Sequence, residues 1–150
     1  MISYYETLSA FYNNPAIMAP LLAWFVAQTI KVVIATIKEK RFSFELFFIP
    51  GGFPSSHSSF VTALCTVVGF LTGVDSIMFA VTLAFTVFVL YDASVLRRAA
   101  QKQAQSLNDL IEFVNIKEME PLREVLGHSW LEVLSGLIIG IGVGVTIILI

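Results

Sequence analysis

Long apolar stretches separated by short polar segments dominate the residue pattern of this chain. A helix needs about 20 mostly apolar residues to cross a bilayer. Four stretches reach or approach that length, at about 16–37, 57–73, 76–96 and 129–150. The second is the shortest, so it either tilts little or follows a loop that dips into the membrane. We therefore predict an all-α, polytopic membrane helix bundle with about four transmembrane helices.

The positively charged residues all lie in or beside two polar segments, at about 38–56 and 97–127. The expected turn at 72–75 and both chain ends contain none of the nine Lys and Arg residues. By the positive-inside rule, both polar segments are cytoplasmic loops and both termini lie on the opposite side. Basic residues that bind phosphate would also cluster, so the same pattern bears on topology and on function.

Three further patterns concern packing. Aromatic residues at helical spacing between 4 and 12 indicate a short helix in the membrane interface, with a disordered tail as the alternative. The third stretch continues past 96 with apolar residues spaced alternately four and three positions apart, which form one apolar seam of a helix. This seam predicts a cytoplasmic extension of the third helix that packs on its own loop or pairs with a second copy. In the fourth stretch, small residues recur every fourth position and predict a face for close helix approach, within the chain or in a homo-oligomer. These residues are Gly136, Gly140 and Gly144.

The composition agrees with a single integral membrane domain over residues 1–150. Hydrophobic residues make up 57% of the chain and charged residues 13%, and the net charge of -2 gives no indication of nucleic-acid binding. The single cysteine, Cys65, cannot form an intrachain disulfide.

The segment from Gly51 to His57 has the features of an anion-binding turn. Gly51, Gly52 and Pro54 shape a tight loop, and Ser55 or Ser56 is placed to cap the next helix. Backbone N–H groups at such a helix start, with the helix dipole behind them, attract a phosphoryl group. The alternative is an ordinary N-cap turn with a histidine at the membrane interface.

His128 and Glu132 form the second candidate pair. They are four residues apart at the start of the fourth stretch, so they share one helix face. The carboxylate can hold one ring nitrogen and leave the other free as a nucleophile. A first-turn acid that stabilises the helix dipole would explain Glu132 equally well, but it leaves His128 unexplained.

Charged residues near the cytoplasmic ends of the first and third stretches complete the candidate set. Asp92 is followed by Arg97 and Arg98, either of which can clamp a phosphate or act as a membrane stop signal. Lys31 lies inside the first stretch, where it either snorkels to the interface or serves a site. The two histidines of the chain thus lie at helix starts on the same side as every basic residue.

At this point the sequence resembles a known superfamily. Pro54-Ser55-Ser56-His57 is similar to the Pro-Ser-Gly-His motif of type 2 phosphatidic acid phosphatases and vanadium haloperoxidases. The segment from Gly127 to Gly136 is similar to their His-x-x-x-Asp-Val-x-x-Gly segment. The order of motifs resembles the small divergent bacterial and plastid branch, through the segments Gln28-x-x-Lys31, Gly51-Gly52-Phe53-Pro54-Ser55-Ser56-His57-Ser58, Tyr91-Asp92-Ala93, Arg97-Arg98, Gln103-Ala104, Leu107-Asn108 and Leu126-Gly127-His128.

The resemblance implies a metal-independent phosphohydrolase that acts on a lipid phosphate or pyrophosphate without a cofactor. His128 would be the nucleophile that forms a phosphohistidine, Glu132 its orienting acid, and His57 the general acid. Amides around Ser55 and Ser56 would hold the phosphate oxygens, together with cationic side chains among Lys31, Arg97, Arg98 and Arg123. Arg123 lies one residue closer to His128 than the matching arginine of the family. The alternative is an inactive membrane protein that binds phospholipid headgroups or a partner through the same site.

Overall fold

The computed structural model describes residues 4–40, 47, 52–115, 119–124 and 127–150. The regular secondary structure of these residues is entirely helical, which confirms the predicted all-α class. The elements are α1 (Tyr4–Tyr12), α2 (Pro15–Glu39), α3 (Ser56–Thr72), α4 (Ile77–Tyr91), a π-helical turn (Asp92–Leu96), α5 (Arg97–Val114) and α6 (Trp130–Leu149).

Four helices begin at a capping side chain that the sequence supplies immediately before them. Asn14 precedes Pro15, and its Oδ1 accepts a hydrogen bond from the Ala16 amide at 2.9 Å. Ser55, Ser76 and Ser129 cap α3, α4 and α6 in the same way. These oxygens satisfy amides that a helix start leaves unpaired, a requirement that is strict in a bilayer.

Helix α3 lies at the centre of the bundle, where it contacts α2, α4 and α6. Small residues allow this close packing: Ala19, Ala23 and Ala63 are fully buried, and Val67 fills the space between them. The central position of α3 matters for function because it places the start of this helix, with His57, among three neighbours.

The glycine face of α6 packs against α3. A Cβ added at Gly136 would collide with the carbonyl oxygen of Ser55, and one at Gly140 would lie 2.5 Å from that of Ser59. Close approach of the two backbones therefore requires glycine. Since Gly136, Gly140 and Gly144 are buried within the chain, the expectation that they form a surface for a homo-oligomer is corrected.

Three helices of the described residues are long and apolar enough to cross a membrane: Pro15–Lys38, Ile77–Val114 and Trp130–Leu149. Helix α3 is also apolar but has 17 residues, about 25 Å at 1.5 Å per residue. The chain is thus a membrane helix bundle, while the count of four spans stays a prediction for α3. The seam of α5 leaves Leu107, Leu110 and Val114 exposed.

The N-terminal helix predicted from the aromatic spacing is present as α1. Tyr4, Tyr5 and Tyr12 are exposed, and α1 contacts α2 at one end of the bundle. Its location in the membrane interface stays a prediction.

Candidate functional site

The two histidines, which are far apart in the sequence, line one cavity of about 250 Å³. His57 lies in the first turn of α3 and His128 two residues before α6. Asp92 and Arg97, from the π-helical turn and its junction with α5, also line this cavity, hereafter the histidine cavity. The remaining lining residues are Phe85, Phe88, Val89 and Ala93. His57 is exposed to solvent, whereas His128 is 4% exposed.

The carboxylate of Glu132 fixes the imidazole of His128. Glu132 Oε2 lies 2.9 Å from His128 Nδ1, so the hydrogen bond expected from the four-residue spacing is present. When Nδ1–H donates to this oxygen, the lone pair of the ring lies on Nε2. The same oxygen accepts a hydrogen bond from the Ser129 amide at 3.1 Å, and Ser129 Oγ accepts from the Glu132 amide. One carboxylate therefore caps α6 and orients the histidine.

The backbone at His128 is held against the long helix. The His128 amide donates to the Ala93 carbonyl oxygen at 3.1 Å. A Cβ added at Gly127 would lie 2.7 Å from the Cα of Arg98, so the residue before the histidine must be glycine for this approach. Ala93 and Gly127 thus set the depth of His128 in the cavity.

The turn before His57 is fastened to α6 as well. The Ser55 amide donates to the Glu132 carbonyl oxygen at 3.0 Å, so the residue that orients His128 also anchors the start of α3. Ser55 is fully buried, and its Oγ accepts from the Ser58 hydroxyl at 2.9 Å and the Ser58 amide at 3.4 Å. Ser56 and Pro54 are buried beside it. The hydroxyl of Ser55 therefore serves the helix start.

Lys31 is buried in the bundle rather than extended to the interface. It is 8% exposed, and its Cγ and Cδ lie 3.6 Å from the position that a Cβ of Gly52 would occupy. Gly52 has a φ of +84°, a conformation that favours glycine. The charge of Lys31 interacts with Glu132 and with His57. One turn earlier, Gln28 is buried and its Nε2 donates to the Phe47 carbonyl oxygen.

Among the arginines that the structure describes, Arg97 lines the histidine cavity. Its Nε lies 2.8 Å from Asp92 Oδ2, across the π-helical turn in which the Arg97 amide bonds to the Asp92 carbonyl oxygen. Asp92 thereby orients a guanidinium that is still half exposed, at 47% of the side chain. Arg98 and Arg123 are exposed and do not line this cavity. Gly51 lies outside the described residues.

An apolar groove of about 470 Å³ adjoins the histidine cavity. Its lining residues come from α2, α3 and α4: Leu21, Trp24, His57, Phe60, Val61, Phe85 and Val89. His57, Phe85 and Val89 also line the histidine cavity, so polar and apolar spaces meet at His57. Sequence reasoning did not identify Phe85 or Val89, because an apolar residue beside a site has the same pattern as one that faces lipid.

Comparison with known proteins agrees with the motifs at the level of the phosphatidic acid phosphatase-related superfamily. The chain is 38% identical over 143 residues to the "Uncharacterized membrane protein YuiD" of Bacillus subtilis (strain 168), an alignment that covers 86% of this chain and 90% of the relative. No solved structure matches the chain. The sequence model of the Divergent PAP2 family matches residues 12–143, and the chain therefore belongs to that family.

Proposed function

We propose that the chain is a membrane phosphohydrolase that acts on a lipid phosphate or pyrophosphate through a phosphohistidine. The observation that supports this most directly is the meeting of both histidines in one cavity with Arg97, where His128 is bonded to Glu132. Nucleophile, orienting carboxylate, second proton carrier and cation are the groups that phosphoryl transfer through histidine requires.

In the first step, His128 Nε2 attacks the phosphorus atom. A P–N bond forms as the bond from phosphorus to the leaving oxygen breaks, and His57 donates a proton to that oxygen. The Glu132 carboxylate stabilises the positive charge that develops on the His128 ring. In the second step, His57 takes a proton from water, the hydroxide displaces His128 from phosphorus, and inorganic phosphate leaves.

Cationic groups around the cavity would stabilise the phosphate oxygens during both steps. Arg97 is oriented by Asp92 and interacts electrostatically with His57, as does Lys31. The start of α3 adds the positive end of a helix dipole, with amides at Ser56 and His57. Among the expected phosphate-binding residues, we assign direct contact to Arg97, which lines the cavity, and a longer-range electrostatic contribution to Lys31, while Arg98 and Arg123 make no direct contact. The mechanism uses no metal ion or organic cofactor.

The apolar groove favours a lipid over a soluble phosphate ester. It is lined almost entirely by apolar side chains and meets the histidine cavity at His57. An amphiphile could therefore place its phosphate between the histidines while its hydrocarbon chain stays among α2, α3 and α4. Because the chain of a membrane lipid already lies in an apolar solvent, the groove would position the chain by packing contacts rather than by removing it from water.

The location follows from the membrane helices and the charge pattern. The protein is an integral membrane protein, and we propose a bacterial plasma membrane or a plastid membrane as its site. We further propose that the histidine cavity opens toward the cytoplasmic leaflet, because the basic residues around it obey the positive-inside rule.

Phosphate release by the purified protein tests the function. In detergent micelles that contain lipid phosphates and pyrophosphates, we expect turnover that falls to background in His128→Ala. His57→Ala should lower kcat by about 10²–10⁴-fold, the usual contribution of a general acid. A soluble phosphate ester should be hydrolysed with a much lower kcat/KM than a lipid of the same headgroup. The His57→Ala enzyme should also accumulate an acid-labile phosphohistidine when its substrate has a good leaving group.

The variants separate the proposal from its alternative. Equal phosphate release by wild type and His128→Ala, or no release by either, contradicts the enzyme. If neither is active but anionic lipid binds wild type and not Arg97→Ala, the chain is the headgroup-binding protein that the sequence also allows.

A further inference from the structure

The segment that leads to His128 is fastened to α5 by the side chain of Asn108. Asn108 Oδ1 accepts a hydrogen bond from the Leu122 amide, and Asn108 Nδ2 donates to the Leu122 carbonyl oxygen, both at 2.8 Å. Nδ2 also donates to Glu124 Oε1 at 2.7 Å. The side chain of Asn108 thus pairs with both the N–H and the C=O group of Leu122, and it also binds the carboxylate of Glu124.

Gln101 makes the next attachment, two helical turns closer to the histidine cavity. Its Oε1 accepts a hydrogen bond from the Gly127 amide at 3.3 Å. Asn108 and Gln101 are seven residues apart, so they lie on the same stripe of α5. The His128 amide continues the row by bonding to Ala93. The described residues of this segment are therefore attached to the long helix at Asn108, at Gln101 and at Ala93, the last of which lines the cavity.

This attachment matters because the described residues between α5 and α6 form no helix or strand. Residues 119–124 and 127–129 have no regular hydrogen-bond ladder of their own, so side chains of α5 must fix their path. Neither amide lies in the histidine cavity, and neither is needed to pack the bundle core. Their hydrogen bonds act on the one segment that delivers His128.

We propose that Asn108 and Gln101 are positioning residues that hold His128 at the position in the cavity from which it attacks phosphorus. The inference rests on the proposed function, in which His128 is the nucleophile. A displacement of about 1 Å between reacting groups is enough to lower a rate about 10²-fold. Loss of either amide lets the segment shift, while the cavity, Glu132 and the cationic groups remain in place.

Kinetics of Asn108→Ala test the proposal. We expect kcat to fall about 10–100-fold with KM unchanged, since substrate binding uses groups that do not move. Gln101→Ala should show a smaller loss in the same direction, because it removes one hydrogen bond. The matched control is Gln105→Ala, which removes an exposed amide of the same helix and should behave as wild type. Equal thermal stability of the three variants in detergent shows that the bundle is intact.

Exchange of the amide and the carboxylate between positions 108 and 124 gives a readout that a general loss of stability would not produce. In Asn108→Asp the new carboxylate still accepts from the Leu122 amide but faces the Glu124 carboxylate. Adding Glu124→Gln supplies a donor for it, so the double variant should recover at least half of the logarithmic loss in kcat. Failure of this recovery, together with a full loss in Gln105→Ala, would show that any change in α5 is damaging and would overturn the proposal.

A second measurement does not depend on catalysis. The chain has two histidines, so in a His57→Asn background, purified without a histidine tag, His128 is the single histidine that diethyl pyrocarbonate can modify, and N-carbethoxyhistidine absorbance follows that reaction alone. Because His128 is 4% exposed, its modification should be slow, and Asn108→Ala should speed it at least fivefold while Gln105→Ala does not.

The two measurements distinguish the possible failures. If the wild-type protein releases no phosphate but Asn108→Ala speeds modification, the proposed function fails and the positioning of His128 stands. If modification is unchanged, or if it is faster while kcat stays at the wild-type value, Asn108 does not position the nucleophile.

Discussion

At the scale of single residues, Glu132 contributes both to the start of its own helix, α6, and to the start of the distant helix α3. Its carboxylate caps α6 and holds His128 Nδ1, while its carbonyl oxygen receives the Ser55 amide from the start of α3. A negative charge is not required for the cap, since glutamine completes a capping box equally well. Charge is required for the proposed role toward His128. The two roles can therefore be separated by one substitution.

We expect Glu132→Gln to fold as wild type and to lower kcat by about 10²–10⁴-fold. The amide keeps the cap, but it provides no charge to stabilise the developing imidazolium. Phosphate release and thermal stability in detergent provide the two measurements. Glu132→Asp keeps the charge on a shorter arm and should retain more activity than Glu132→Gln. A Glu132→Gln enzyme with wild-type kcat would leave Glu132 a structural role only.

The residue scale also shows where sequence reasoning succeeds. The pairing of His128 with Glu132 was predictable because both lie within one turn at a helix start, where geometry depends on local spacing. Which of the arginines Arg97, Arg98 and Arg123 lines the histidine cavity was not predictable. It depends on the π-helical turn. This turn contains one extra residue, which rotates the side chains that follow it and leaves Arg97 beside Asp92.

At the scale of helices, the contact between α3 and α6 connects packing with the site. Gly136 lies against the Ser55 carbonyl oxygen, at the turn that delivers His57. The periodic glycines predicted a close helix contact correctly. Their partner could not be read from the pattern, because a small-residue face fits a helix of the same chain and a helix of a second copy equally well.

We expect Gly136→Ala to destabilise the protein by about 1–3 kcal/mol, because the new methyl group must displace backbone of the α3 start. The matched control is Gly142→Ala, since a Cβ at this position meets nothing within 4 Å. That change should be neutral or stabilising by up to about 1 kcal/mol through helix propensity. Denaturation of both variants in detergent gives the comparison. Equal behaviour of the two variants would contradict the contact.

At the scale of the whole molecule, the candidate site consists of residues that lie far apart in the sequence and share no sequence motif. His57 lies at the start of α3 and His128 just before α6, and the turn from Asp92 to Arg97 lines the cavity that they share. The charge pattern of the sequence predicts that all of these groups lie on one side of the membrane, and this stays a prediction. The pattern could not predict that they share a cavity, because that depends on the packing of α3 against α4 and α6.

Sidedness is the prediction that concerns the whole chain, and cysteine labelling tests it. In a Cys65→Ser background, Val74→Cys places a thiol in the turn between α3 and α4, and Gln105→Cys places one on α5. Both positions are exposed. We expect a membrane-impermeant maleimide to label position 74 in intact cells, and position 105 only in inverted vesicles, since the positive-inside rule predicts that the basic loops are cytoplasmic.

Each labelling pattern has a different consequence for the proposed function. Labelling of both positions from the same side would mean that the helix from Ile77 does not cross the membrane, which contradicts the bundle as a membrane structure. A reversed pattern would keep the bundle but move the histidine cavity to the opposite leaflet. The chemistry of His128, His57 and Arg97 would be unchanged in that case, because it depends on their mutual geometry. The substrate pool would change, from lipid phosphates of the cytoplasmic leaflet to those of the other one.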